Sequence, residues 1–81
     1  MTLDQVFERL TPIFRDVFDD DSLVPESTMT ARDVEEWDSL NHIRLIVSVE
    51  KAFGIKFSTG EVSSFRDVGH FAETILAKAS A

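Results

Sequence analysis

The run Glu35-Glu36-Trp37-Asp38-Ser39-Leu40 places a hydroxyl directly after a carboxylate, where polar chain gives way to an apolar segment of helical spacing. Asp38 is a good N-cap, which sets Ser39 in the first turn of the following helix, where side chains project outward and backbone N–H groups lack partners. Those donors and the helix dipole would stabilise a phosphate ester on the Ser39 hydroxyl. Ser39 is thus a competent point for covalent attachment of an anionic group. Asp38 opposes that charge, so its place beside the serine calls for a separate reason, such as metal or partner binding during modification. Asp-Ser at a helix start is also ordinary capping chemistry, and on residue types alone both readings stand.

Other candidate chemistries are poorer. Ser39 as a hydrolase nucleophile lacks a Gly-x-Ser-x-Gly elbow and an indicated base. His42 and His70 lie 28 residues apart without metal-site spacing, and both read as non-catalytic. Asp19-Asp20-Asp21 lacks the alternating ligands, the glycine and the distal glutamate of a calcium loop, and reads as a solvated acidic turn. With no cysteine there is no disulfide, thiolate nucleophile or Cys-based metal site.

The elements that must hold Ser39 are helical. Leu3, Val6, Phe7, Leu10, Ile13, Phe14, Val17 and Phe18 recur at spacings of three and four, one stripe of a helix over residues 3–18, with Thr2, Asp4 and Gln5 at its cap. Pro12 deletes a donor and crowds the carbonyl four residues back; because the stripe keeps phase across it, one kinked helix is expected instead of two. Residues 19–38 lose the periodicity and predict a long connection, anchored on the core by Leu23, Val24, Met29 and Val34. Connections longer than about 12–15 residues are uncommon in small domains and often functional.

A second helix is expected over residues 39–53, with Gly54 as its stop. At about 100° per residue, Leu45, Ile46, Val49, Ala52 and Phe53 share one side, and Leu40, Ile43 and Val47 nearly the opposite one. The second stripe is either also buried or an exposed interaction surface. After the link Gly54-Ile55-Lys56-Phe57, the capping-box pattern of Ser58 and Glu61 predicts a helix of one or two turns. The last helix starts at the cap Asp67, runs through Val68, Phe71, Ala72, Ile75 and Leu76, and frays over residues 77–81. The expectation is one all-α domain over residues 1–81, a small four-helix bundle of three longer helices and one short one, with a long loop between the first two.

The 81 residues are 43% hydrophobic, with seven Phe and one Trp, enough for a core and far from a disordered composition. A chain this size buries roughly 60–70% of its surface, which leaves little room for a deep catalytic cleft and favours binding, carrying or scaffolding. The net charge of −7 argues against nucleic acid as the partner. That charge is local, since residues 16–38 carry nine carboxylates against Arg32, while residues 39–81 sum to +1. Met1-Thr2-Leu3-Asp4-Gln5 lacks a signal-peptide pattern and no apolar run nears the ~20 residues of a membrane span, so a cytoplasmic protein without membrane insertion is expected.

Asp38-Ser39-Leu40, set after a long acidic loop and before an apolar helix ending Glu50-Lys51-Ala52-Phe53-Gly54-Ile55-Lys56-Phe57, resembles the acyl carrier protein family over nearly the whole chain. The resemblance implies that Ser39 bears a 4′-phosphopantetheine arm from coenzyme A, whose thiol carries an acyl or aminoacyl group as a thioester. It implies no enzymatic activity. Asp38 would help a phosphopantetheinyl transferase hold its metal ion. Trp37 would shelter the attachment point, meet a partner, or staple the bundle, and Leu40 completes the motif. His42 falls between Ser39 and the core face, at the mouth of any acyl pocket. The expected partners are that transferase, an acyl- or aminoacyl-loading ligase and acyltransferases, which would meet a monomer on the second helix through Leu40, Ile43, Arg44, Val47 and Lys51.

Two departures stand out. Carriers of fatty-acid synthesis usually have Gly-Ala before Asp-Ser-Leu and an acidic second helix; here the pair is Glu36-Trp37, and Asn41, Arg44 and Lys51 occupy positions that are usually acidic. A specialised carrier of a dedicated pathway is expected, with like charge excluding basic partner faces. Leu45, Ile46, Val49, Phe53, Phe57, Phe71 and Ile75 either fill the core or leave space for a chain. The alternative is a non-covalent helical adaptor using the Leu40, Ile43 and Val47 face, and a small serine-dependent enzyme is the third.

Overall fold

Thr2 opens the first helix with a capping box: its hydroxyl accepts the Gln5 N–H at 3.2 Å, and Gln5 Oε1 accepts the Thr2 N–H at 2.8 Å. In the computed structural model, which describes residues 1–79, this helix is α1, Leu3–Val17; α2 is Ser39–Phe53, α3 Thr59–Val62 and α4 Val68–Ala79. No strand occurs among the described residues. Pro12 does not divide α1. Both Pro12 and Glu8, whose carbonyl loses its donor to the proline, lie on the exposed side, where water can serve that carbonyl. The opposite face, Val6, Leu10, Phe14 and Val17, is buried.

The connection over residues 18–38 has no helix and leans on its neighbours through backbone groups. Arg15 Nε donates to the Leu23 carbonyl at 2.9 Å. Val34 is buried, and Leu23 and Met29 pack against the core, but Val24 is 54% exposed and anchors nothing. Pro25, the next residue, is buried in its place. The loop also caps α4: the Val68 N–H donates to Met29 O and the Gly69 N–H to Ser27 O, both at 2.9 Å, while Asp67 Oδ1 accepts the His70 N–H at 2.8 Å. Glycine at position 69 permits this close approach, since a Cβ there would lie 3.0 Å from Ser27 O and the loop would have to give way.

Helix α2 begins on Asp38, whose Oδ1 accepts the Asn41 N–H at 2.8 Å, and ends on Gly54 in the left-handed region at φ 67°. Leu45, Ile46 and Val49 are buried and Phe53 is half-buried, as the inner stripe predicts. Ala52 is exposed instead, lying at the edge of that stripe; its carbonyl accepts from Arg9 Nη2, and the Arg9 guanidinium sits 4.3 Å from the Phe53 ring centroid. Ser58 and Glu61 form the expected capping box on α3. Helix α4 stays regular through Ala79 where fraying from Ala77 is expected, because Lys78 Nζ pairs with Glu61 Oε1 at 2.9 Å and Leu76 and Ala79 pack on the core. Residues 80 and 81 of that expected fray lie outside the described residues. The core joins Leu10 and Phe14 of α1, Leu45 and Val49 of α2, and Phe71, Ala72 and Ile75 of α4, each no more than 3% exposed.

Candidate functional site

Ser39 is exposed in the first turn of α2, and its hydroxyl makes no hydrogen bond among the described residues. Asp38 takes the third-residue donor with its side chain and the His42 N–H with its backbone carbonyl at 2.9 Å. The N–H groups of Ser39 and Leu40 are left without an internal acceptor, which is the arrangement that favours an anion beside the serine. Asn41 fixes the approach of the chain: its Nδ2 donates to Glu36 O at 2.8 Å and its Oδ1 accepts from Arg44 Nη1 at 3.2 Å.

Trp37 is half-buried, with its ring against Phe14 at 5.7 Å and Phe18 at 5.2 Å. Its indole N–H donates to His42 Nδ1 at 3.1 Å, and His42 Nε2 meets Val62 O at 2.9 Å. Because indole nitrogen only donates and a carbonyl only accepts, these two bonds call for Nδ1 as acceptor and Nε2 as donor. The imidazole therefore ties the loop, α2 and α3 together. Its place beside Ser39 is legible from the helical wheel, but its bond to a backbone carbonyl twenty residues on is not. Asn41 likewise carries no chemical motif that would single it out.

Leu40, Ile43 and Val47 are 69%, 52% and 41% exposed, which settles the second stripe of α2 as a surface. Arg44 and Lys51 are exposed on the same helix. Glu50, its only carboxylate, is turned to the following link, where Oε2 accepts the Phe57 N–H at 2.9 Å. The outward face of α2 is thus apolar and basic. The acidity lies before it: Glu35, Glu36 and Asp38 are exposed at the Ser39 end. In the Asp19-Asp20-Asp21 turn, Asp20 Oδ1 accepts from the Ser22 hydroxyl at 2.7 Å and the Ser22 N–H at 3.0 Å, and these bonds, with Arg15 nearby, hold its carboxyl below the usual range.

A cleft of about 70 Å³ opens beside this end of α2, with walls that include Ala31, Trp37, His42, Phe65 and Phe71, and Arg66 at its edge. Ala31, Trp37 and His42 also line the shallow depression around Ser39. Of the residues named as possible lining, Phe71 forms part of this cleft, whereas Leu45, Val49 and Ile75 are fully buried in the core. His70 is half-buried near the α4 cap, where its ring packs edge-on against Phe65 of this cleft at 5.6 Å without lining the cleft itself. No helix among the described residues is long and apolar enough to cross a membrane.

No protein-family model and no curated protein matches the chain. Among solved structures, it is similar to the solution NMR structure of a holo acyl carrier protein from Geobacter metallireducens, with a TM-score of 0.87 and 45% identity, covering 93% of this chain and 86% of that one.

Proposed function

The chain belongs to the acyl carrier protein family, and from that premise we propose that Ser39 is the attachment point of a 4′-phosphopantetheine arm whose thiol holds an acyl or aminoacyl cargo. The observation that carries the assignment is the exposed Ser39 hydroxyl in the first turn of α2, in a fold shared with a holo carrier. In the attachment step the Ser39 oxygen forms a phosphodiester bond to the phosphopantetheine phosphorus of coenzyme A. The pyrophosphate bond breaks, 3′,5′-adenosine bisphosphate leaves, and the hydroxyl proton passes to a base on the transferase. The chain is a carrier and not an enzyme: its residues present the hydroxyl, and partners supply the chemistry. Asp38 has one carboxylate oxygen engaged in the cap, and the other is available to a transferase-bound metal ion.

Leu40, Ile43 and Val47 offer partners an apolar stripe, flanked by Arg44 and Lys51. A face of this sign repels partners that dock through basic patches and suits those with acidic rims, which supports a dedicated pathway with its own loading ligase and acyltransferase. Loading from coenzyme A is compatible with a monomer that works in the cytoplasm.

Intact mass after incubation with coenzyme A and a broad-specificity phosphopantetheinyl transferase tests the assignment. One phosphopantetheinyl addition on the wild type and none on Ser39→Ala is expected. No addition with several transferases would overturn it and leave the exposed stripe as the face of a non-covalent adaptor.

A further inference from the structure

We infer that His42 is the positioning residue of the attachment turn: through Trp37 and the Val62 carbonyl it fixes Ser39 relative to the bundle, and phosphopantetheine transfer depends on that tether. The inference rests on Ser39 as the attachment point and adds the residue that presents it. Burial sets the need for a tether. Val34 and Leu45 are buried, and every side chain from Glu35 to Arg44 between them is exposed or half-buried. Ser39 sits in the middle of that stretch, so no buried side chain holds the turn that must offer its hydroxyl to an enzyme. The cap from Asp38 to the Asn41 N–H and the bond from Asn41 Nδ2 to Glu36 O both close within the stretch. They order the turn without fastening it to another element.

Trp37 and His42 supply the missing link. The Trp37 ring packs on Phe14 and Phe18, both fully buried, and its indole N–H donates to His42 Nδ1, while His42 Nε2 meets Val62 O. A continuous line of contacts therefore runs from the end of α1 through Trp37 to the first turn of α2 and on to α3, with Ser39 between its two ring residues. His42 lies three residues after Ser39, but its one acceptor nitrogen is taken by Trp37, so the imidazole positions the serine and does not take its proton. Holding a reacting group in place removes orientational freedom that the transfer step must otherwise overcome. The side chain at 42 must accept from one neighbour and donate to the other. Glutamine can do both, whereas phenylalanine keeps a ring and can do neither.

Transfer from coenzyme A by the broad-specificity transferase, measured over a range of carrier concentrations, separates positioning from docking. In His42→Phe kcat is expected to fall roughly tenfold to a hundredfold, the scale on which displacing a reacting atom by about 1 Å acts. KM should stay within about twofold, because the exposed Leu40, Ile43 and Val47 stripe is untouched. His42→Gln should restore most of kcat. Val6→Ala, a core truncation at the opposite end of α1 from Phe14, weakens the fold away from the tether and should leave kcat at the wild-type value. The bond itself is read on the wild type, where the sole tryptophan gives a single indole N–H resonance. Its exchange with deuterium should be at least roughly tenfold slower than in free tryptophan, with the protection lost in His42→Phe and kept in His42→Gln. Wild-type kcat in a folded His42→Phe protein, a rise in KM at unchanged kcat, a His42→Gln protein no faster than His42→Phe, an equal fall in Val6→Ala, or an unprotected indole N–H in the wild type each overturns the inference while leaving the arm in place. Failure to load the wild type at Ser39 overturns the attachment itself and the inference with it.

Discussion

The indole N–H of Trp37 donates to Nδ1 of His42 at 3.1 Å, joining the residue two before the candidate attachment serine to the residue three after it. The bond crosses the start of α2, so it stabilises both the loop approach and the first turn. Trp37→Phe would keep the aromatic contact with Phe14 and Phe18 but leave His42 Nδ1 without its donor, a loss of about 1 kcal/mol. Trp37→Ala also uncovers those two rings and should cost more, roughly 2–4 kcal/mol. Urea unfolding followed by far-UV circular dichroism gives both values; a Trp37→Phe variant as stable as wild type would show that the bond contributes nothing.

The three glycines should respond to alanine with different signs. Gly60 lies in α3 with nothing within 4 Å of an added Cβ, so Gly60→Ala should stabilise by roughly 0.5–1 kcal/mol through helix propensity. Gly54 also has open space but sits at φ 67°, and Gly54→Ala should cost about 1 kcal/mol from backbone strain alone. At Gly69 the propensity gain competes with a Cβ placed 3.0 Å from Ser27 O, on the carbonyl that caps α4, so the change should be net destabilising. Thermal melts of the three variants check the order; a Gly69→Ala protein more stable than wild type would mean that the loop is not held against α4.

Glu61 supplies an acid-sensitive joint between α3 and α4. Its carboxyl lies below the usual glutamate range, chiefly because it accepts the Ser58 N–H, and then because of Lys78. A depressed folded-state value means that the contribution is fully present above the unfolded-state value and is lost as pH falls through the folded one. Melting temperatures measured from about pH 6 down to pH 3 should therefore fall less steeply for Glu61→Gln than for wild type. Parallel curves would show that the capping box and ion pair do not add to stability.

Local sequence signals carried most of the fold because the interactions that make them are local. Thr2 with Gln5, Ser58 with Glu61, Asp38 with Asn41 and Gly54 with Glu50 each close within a turn of the residues that announce them. The two faces of α2 followed from its angular spacing, but whether Leu40, Ile43 and Val47 met another helix depended on how the other elements packed. Val24 and Ala52 have the right residue type for burial and the wrong neighbours for it. The least legible part of the site is made by backbone: Val62 O receives His42, and Ser27 O and Met29 O receive α4. Carbonyls carry no side-chain identity, so no residue pattern points to them.

Asp38 has two roles that substitution can separate. As the N-cap it accepts the Asn41 N–H, a task serine performs about as well, so Asp38→Ser should keep stability within roughly 0.5 kcal/mol, while Asp38→Ala loses about 1 kcal/mol. As a carboxylate beside Ser39 it would complete the metal coordination of the transferase, which serine cannot do with a charge. The kcat/KM for phosphopantetheine transfer should therefore fall roughly tenfold or more in Asp38→Ser, the scale on which metal-site support acts. The fall should be at least as large in Asp38→Ala. Transfer at the wild-type rate in a stably folded Asp38→Ser protein would restrict Asp38 to capping and remove it from the attachment chemistry.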